Sequence, residues 1–439
     1  MAATACIPAP AQPATRRGAS WPVVWTAIVF AATPFAARAQ LLGQYLPGGI
    51  PGYQNWFSDA VLERPHTEYD PLGVRVGSFV IRPDLSESFG YNSNVLNSAQ
   101  AVGSPFIDTQ GRVSAASDWS RDRLNAEFSA DNRQYVRQPN ASYTNWSAAL
   151  GGVLDIGNDH ATVAFTHLTE TSAAAQIGTL STGLPVTVSL DSAHLGYEAT
   201  LGRVTLEPSV EAAAYRFSNG PSSAAGEATN NRNTAAASLA AGYRLFPGAS
   251  LVLVGSATDA AYTTTTPGMP TPNYQDKSLV GGIDYRSGSL FRYRVTLGYE
   301  TRDYISRQLS GTSAPLAELD VIWTPTRLTT VTGQASRSLQ NAIATAGSES
   351  YTYSDMRVVI DHEYLRNVLL QGFGEYQTAD YQLRGETQHV VSAGASVNWL
   401  LNRRLAVIGR VTYSQSTDNV FSTLNQSSSL AELTLDLHL

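Results

Sequence analysis

The sequence predicts an all-β chain: a transmembrane, antiparallel, up-and-down β-barrel of outer-membrane type, with about 18 strands and 16 as the alternative count. Three observations lead there. From Phe79 to Leu439, apolar and polar side chains alternate with a period of two. The connections alternate between tight turns and long polar stretches. No run beyond Gln40 reaches the ~18 apolar residues of a membrane helix, and 35 Gly and 21 Tyr stand where a helical protein carries Leu-rich stripes with charged flanks.

Residues 1–39 read as a secretory signal: Arg16 and Arg17, the apolar run Trp21 to Phe35, and an A-x-A site at Ala37-Arg38-Ala39. Its removal leaves 26 basic residues against 36 acidic ones, a formal charge of −10. It also removes Cys6, the chain's one cysteine, so the mature chain is expected to hold neither a disulfide nor a thiolate metal site. Residues 40–74 form a Pro/Gly-rich leader that includes Pro47-Gly48-Gly49-Ile50-Pro51-Gly52. It is expected to be a periplasmic extension, too short to fill a wide barrel as a plug domain. The barrel is assigned to 75–439.

Within the barrel, Phe291, Tyr293, Val295, Leu297 and Tyr299 share one face, opposite Arg292, Arg294, Thr296, Gly298 and Glu300. Leu433, Leu435, Leu437 and Leu439 oppose Glu432, Thr434, Asp436 and His438. Met356, Val358, Ile360 and Tyr364 oppose Asp355, Arg357, Asp361 and Glu363. Lipid requires every backbone donor and acceptor to be paired, so the sheet must close on itself. Tight turns are expected at 120–122, 157–159, 201–203, 246–248, 287–289, 324–326, 365–367 and 401–403, and long connections at 173–183, 219–234, 264–273 and 342–350. An even strand count brings both termini to the periplasmic side. Trp119, Trp146, Trp323 and Trp399 lie near segment ends, where indoles favour the membrane interface. Gly281-Gly282 is expected to relieve curvature or admit bulky neighbours.

Charge and motif exclude several functions. With Lys277 as its one lysine and a negative net charge, the chain lacks a basic footprint for nucleic acid. The seven histidines are scattered, and no metal site or cofactor is expected. His362, on an apolar strand face, is the one candidate for an outer-membrane lipase, and no Ser pairs with it at a readable spacing. The candidate binding residues are lumen-facing charges: Arg292, Arg294 and Glu300 on one strand, Glu318 and Asp320 on the next, then Arg357 and Asp361. Opposed rows of Arg and acid set a transverse field across a pore and orient polar solutes. Mutual pairing that only keeps the lumen wet and rigid is the equally weighted alternative.

The stretch Tyr69-Asp70-Pro71-Leu72-Gly73, then Gly77-Ser78-Phe79-Val80-Ile81-Arg82-Pro83 and Tyr91-Asn92-Ser93-Asn94-Val95, resembles the opening of the putative beta-barrel porin type 2 family. The resemblance implies a Gram-negative outer-membrane barrel, often grouped with exopolysaccharide production and export, and carries no catalytic or binding residues across. Many barrels end in an aromatic residue, whereas this chain ends in Leu439.

The sequence therefore points to a non-enzymatic, water-filled passage for polar solutes, with exopolysaccharide export as its narrower form. A non-conducting structural or adhesive barrel is the alternative, and a lipase the remote one. Expected partners are outer-membrane lipid, the barrel-insertion machinery and, for the export role, periplasmic polysaccharide-export proteins.

Overall fold

A computed structural model describes residues 50–51, 60–172, 185–218, 227–264, 268–286, 290–341, 350–381, 385–420 and 425–439. The expected signal segment, the tight turn at 287–289 and most of the long connections lie outside the described residues. A short strand β1 (Val74–Val76) leads into β2 (Phe79–Asn92), β3 (Ser104–Ser117), β4 (Arg123–Tyr135), β5 (Tyr143–Ile156) and β6 (Asp159–Ser172). There follow β7 (Val186–Leu201), β8 (Val204–Ser218), β9 (Arg232–Phe246), β10 (Ala249–Tyr262), β11 (Tyr274–Tyr285) and β12 (Phe291–Tyr304). The circuit continues through β13 (Thr312–Thr326), β14 (Thr329–Asn341), β15 (Ser350–Leu365), β16 (Val368–Tyr381), β17 (Glu386–Asn402), β18 (Leu405–Asp418) and β19 (Gln426–His438).

Every strand from β2 to β19 pairs antiparallel with its sequence neighbour, and β19 closes onto β2, with His438 opposite Asp84 and Leu430 opposite Asn92. The result is a closed barrel of 18 strands, so the alternative count of 16 is corrected. Closure leaves no ladder edge to be satisfied by lipid. β1 folds back on β2 through Gly77, whose φ of 60° suits a residue without a Cβ.

Connection lengths divide the barrel into two ends. Two-residue turns join β5 to β6, β7 to β8 and β9 to β10 at one end, which we call the short-turn end. Gly157, with φ of 71°, makes the first of these possible. The turn expected at 324–326 falls later, because β13 runs to Thr326 and pairs with Thr329. Its ladder is interrupted between Trp323 and Thr326, where Pro325 has no N–H to donate.

The alternation sorts the side chains by face as expected. Leu297 is 64% exposed on the outward face, while its neighbour Thr296 is buried on the inward one. Outward aromatics gather at two levels. Phe291 stacks on Trp323 at 5.9 Å at the short-turn end, and Tyr299 lies eight residues further along β12. At ~3.3 Å per residue and a tilt near 40°, that separation spans roughly 20 Å of membrane, close to the ~25 Å apolar band of such barrels. Between Phe291 and Tyr299 the outward residues of β12 are Tyr293, Val295 and Leu297, with Tyr293 stacked on Tyr285 at the short-turn level.

Candidate lumen site

An 18-strand barrel is too wide for its own side chains to fill, so its inward face is the functional surface. All seven predicted charges lie on that face, because each shares its strand parity with buried wall residues such as Thr296, Ile322 and Tyr353. The ladder register brings some of them together. Arg294 stands across from Asp284 on one side and Asp320 on the other, and its Nη2 donates to Asp284 Oδ2 at 3.0 Å. Arg286 donates to the same carboxylate at 3.1 Å. Arg292 lies across from Ile322, Glu300 across from Ala314, and Glu318 across from Ser336, so these three are not brought together by register. Arg357 lies 3.9 Å from Glu375 and 5.0 Å from the Phe373 ring centre. Asp361 is buried and accepts from Gln371 Nε2 at 2.8 Å.

Pairing of charges within the wall describes Arg294 with Asp284 and Arg357 with Glu375, while Asp361 is held by the Gln371 amide. The strongest pairs form with carboxylates that the sequence did not single out. Arg302, 1% exposed, forks onto Asp276 with Nε–Oδ1 and Nη2–Oδ2 distances of 2.7 Å. Its Nη1 donates to Asn341 Oδ1 at 2.6 Å, Asn341 donates to Tyr274 Oη at 2.8 Å, and the guanidinium lies 4.0 Å from the Tyr274 ring centre. Arg133 is a looser version: its Nε and Nη2 both donate to the single oxygen Asp108 Oδ2, and Phe106 covers the cation at 4.4 Å. A carboxylate on one edge and a ring on the face together offset much of the cost of burying a guanidinium. Sequence parity puts Arg133 and Asp108 on the inward face, but only the register of neighbouring strands sets them opposite one another.

The rest of the inward face carries hydroxyls and open ion pairs. Ser129 and Ser147, Ser209 and Ser238, and Ser256 and Ser278 bond across strands at 2.6–2.8 Å. Arg112–Glu127 and Arg410–Glu432 pair at 2.7 and 2.9 Å with half of each guanidinium exposed. A cluster of one histidine and two carboxylates, not expected from the sequence, occurs at the barrel seam. There Asp84, Asp436 and His438 lie with ligand atoms within 4.8 Å of one another, and His438 pairs with Asp84 across the closing strands. His362 is outward-facing as expected, and its Nδ1 lies 3.0 Å from Thr329 Oγ1.

The leader enters this space. Ile50 is buried against Ala149 and Ala164 on the inward faces of β5 and β6, and a Cβ on Gly151 would lie 2.5 Å from Ile50 Cγ2. Val61 is buried beside β15, in a 3-10 turn at Val61–Glu63. Arg64 donates to Arg327 O at 2.7 Å and to the inward Thr330 hydroxyl at 3.3 Å. β5 and β14 are nine strands apart in a ring of 18, so these two pieces of the leader sit on opposite walls. Glu63 is pushed above the ordinary carboxylate value by burial and by the nearby Asp361 carboxylate.

Comparisons with known proteins agree with the architecture. Residues 66–437 match the family model described as Putative beta-barrel porin 2. No curated protein matches. Among solved structures, OccAB3 of Acinetobacter baumannii shares 9% identity at a TM-score of 0.46, over 83% of this chain and 100% of that one. OccK2 (OpdF) of Pseudomonas aeruginosa shares 10% identity at 0.45, over 83% and 98%. The FrpB iron transporter of Neisseria meningitidis (F5-1 variant) shares 10% at 0.45, over 82% of each chain.

Proposed function

Because the chain belongs to the Putative beta-barrel porin 2 family, we propose that it forms a water-filled passage for polar solutes across the outer membrane. The observation that carries this reading is the sorting of faces: lipid-exposed Leu, Val and aromatic side chains outside, with hydroxyls, amides and half-open Arg–Glu pairs inside. Such a wall hydrates a lumen that 18 strands leave too wide to pack. Its mechanism is passive diffusion along hydrogen-bonding groups, with charges on the wall orienting the solute. The acidic balance of the chain supports a mild cation preference.

Export of exopolysaccharide is the narrower form of this proposal, supported by the family resemblance, with periplasmic export proteins as its partners and both termini on the periplasmic side. The test is single-channel recording of refolded residues 40–439 in a planar bilayer. Stepwise openings with a reversal potential favouring potassium are expected, and blockade by added polysaccharide would support the export role. A correctly folded barrel that never conducts would favour a structural or adhesive barrel.

A further inference from the structure

Three inward arginines near the long-loop end are stacked on aromatic rings, and they differ in one respect. Arg133 on β4 faces Asp108 on the preceding strand β3, and Arg302 on β12 faces Asp276 on the preceding strand β11. In each case the Nε–Nη2 edge of the guanidinium is taken by that carboxylate. Arg232 opens β9 on the same inward face, and the residue opposite it on the preceding strand β8 is Tyr215. Its partner on the following strand is Tyr262. The guanidinium is 1% exposed and lies 4.6 Å from the Tyr215 ring centre and 5.8 Å from those of Phe217 and Tyr262. Its Nη1 donates to Asn230 O at 3.4 Å, while Nε and Nη2 are buried and have no hydrogen-bond acceptor among the described residues.

A buried cation whose bidentate edge lacks an acceptor is costly, and ring faces compensate only part of the lost hydration. Two sister sites on the inward face show which group takes that edge: a carboxylate, through one oxygen at Arg133 and through both at Arg302, where the planar group matches the guanidinium fork. We propose that Arg232 is a binding site for the carboxylate of a solute, held by the Nε–Nη2 edge within the Tyr215–Phe217–Tyr262 box. The proposal rests on the reading of the barrel as a passage and names the solute class that the passage recognises. Arg232 directly follows the connection that carries the 3-10 turn Glu227–Asn230, which places it at the long-loop end of β9.

The test is calorimetric titration of the full refolded protein in detergent with glucuronate, using glucose as the uncharged control. Saturable binding of glucuronate and none of glucose are expected. Arg232→Lys keeps the charge but removes the fork, and should weaken binding at least tenfold. Tyr215→Asp places a carboxylate where Asp108 and Asp276 stand in the sister sites. It should abolish glucuronate binding while raising the temperature of the heat-modifiable mobility shift. Absence of glucuronate binding by the wild type, or unchanged binding in Tyr215→Asp, overturns the proposal. If Arg232→Lys fails to fold, Tyr215→Asp decides alone. Conductance separates the two readings: a conducting barrel that binds no carboxylate sinks this site only, whereas binding by a silent barrel sinks the passage only.

Discussion

Two arcs of the lumen wall are built from the same residue types and do different work. Across β3–β4 and β18–β19, Arg112–Glu127 and Arg410–Glu432 leave half of each guanidinium open to the lumen. Across β8–β12, Arg232 and Arg302 are almost wholly buried among tyrosines. In these pairs the arginine side chain is half open while Glu127 and Glu432 are only 8% exposed, so water solvates chiefly the cation. A buried guanidinium depends on every group around it, because no water replaces a lost partner. The first arc therefore sets the field that a solute meets, while the second holds the wall together or awaits a ligand.

The sharpest way to break this comparison is Arg302→Met. It leaves Asp276 without its fork partner, and should cost about 3–5 kcal/mol of unfolding free energy, read by urea unfolding in lipid vesicles. A loss near zero would mean that the buried arc is no more structural than the open one. Next in size is Leu297→Arg, which puts a charge in the outward band between the aromatic levels and should cost about 2–4 kcal/mol in the same assay. Ser278→Arg, one strand away but inward-facing, should leave folding intact and alter conductance instead.

Arg410→Ala should change stability by only about 0.2–1 kcal/mol. Its loss leaves Glu432 with Arg133, 3.9 Å away, as its remaining partner and removes one lumen cation, so the reversal potential should move further toward cations.

The smallest effect concerns the leader. Glu63 titrates above the ordinary carboxylate value, so its charged form is the disfavoured one in the seated leader. Above that raised value the penalty is full, and it disappears as pH falls through it toward the ordinary range. The leader should therefore be better protected from protease at mildly acidic than at neutral pH. In Glu63→Gln the difference should vanish.

How much was legible in the sequence varies with the range of the interaction. Each of the 18 strand positions, the outward Trp residues and the inward parity of Arg292, Arg294, Glu300, Glu318, Asp320, Arg357 and Asp361 follow from alternation along a single strand. Gly281-Gly282 was half legible. A Cβ on Gly282 would lie 1.9 Å from the Val295 carbonyl oxygen, whereas one on Gly281 meets only ordinary contacts. Which glycine bears the close approach depends on how β11 bends over β12. The pairing of Arg302 with Asp276, and the tyrosine opposite Arg232 where an acid would match the pattern, were not legible. Register joins residues whose separation is set by connections of variable length.

While the strand count stayed between 18 and 16 until the closing pair was seen, the sequence by itself determined that this chain is a barrel and which side chains face lipid. Those properties are repeated locally, and the bilayer's demand for paired backbone admits one solution. Only the tertiary structure decided which charges neutralise one another, that the leader touches opposite walls, and that Arg232 lacks the carboxylate its sister arginines hold. Those facts depend on closing a ring of 18 strands, where a shift of one residue in any register would set different partners face to face.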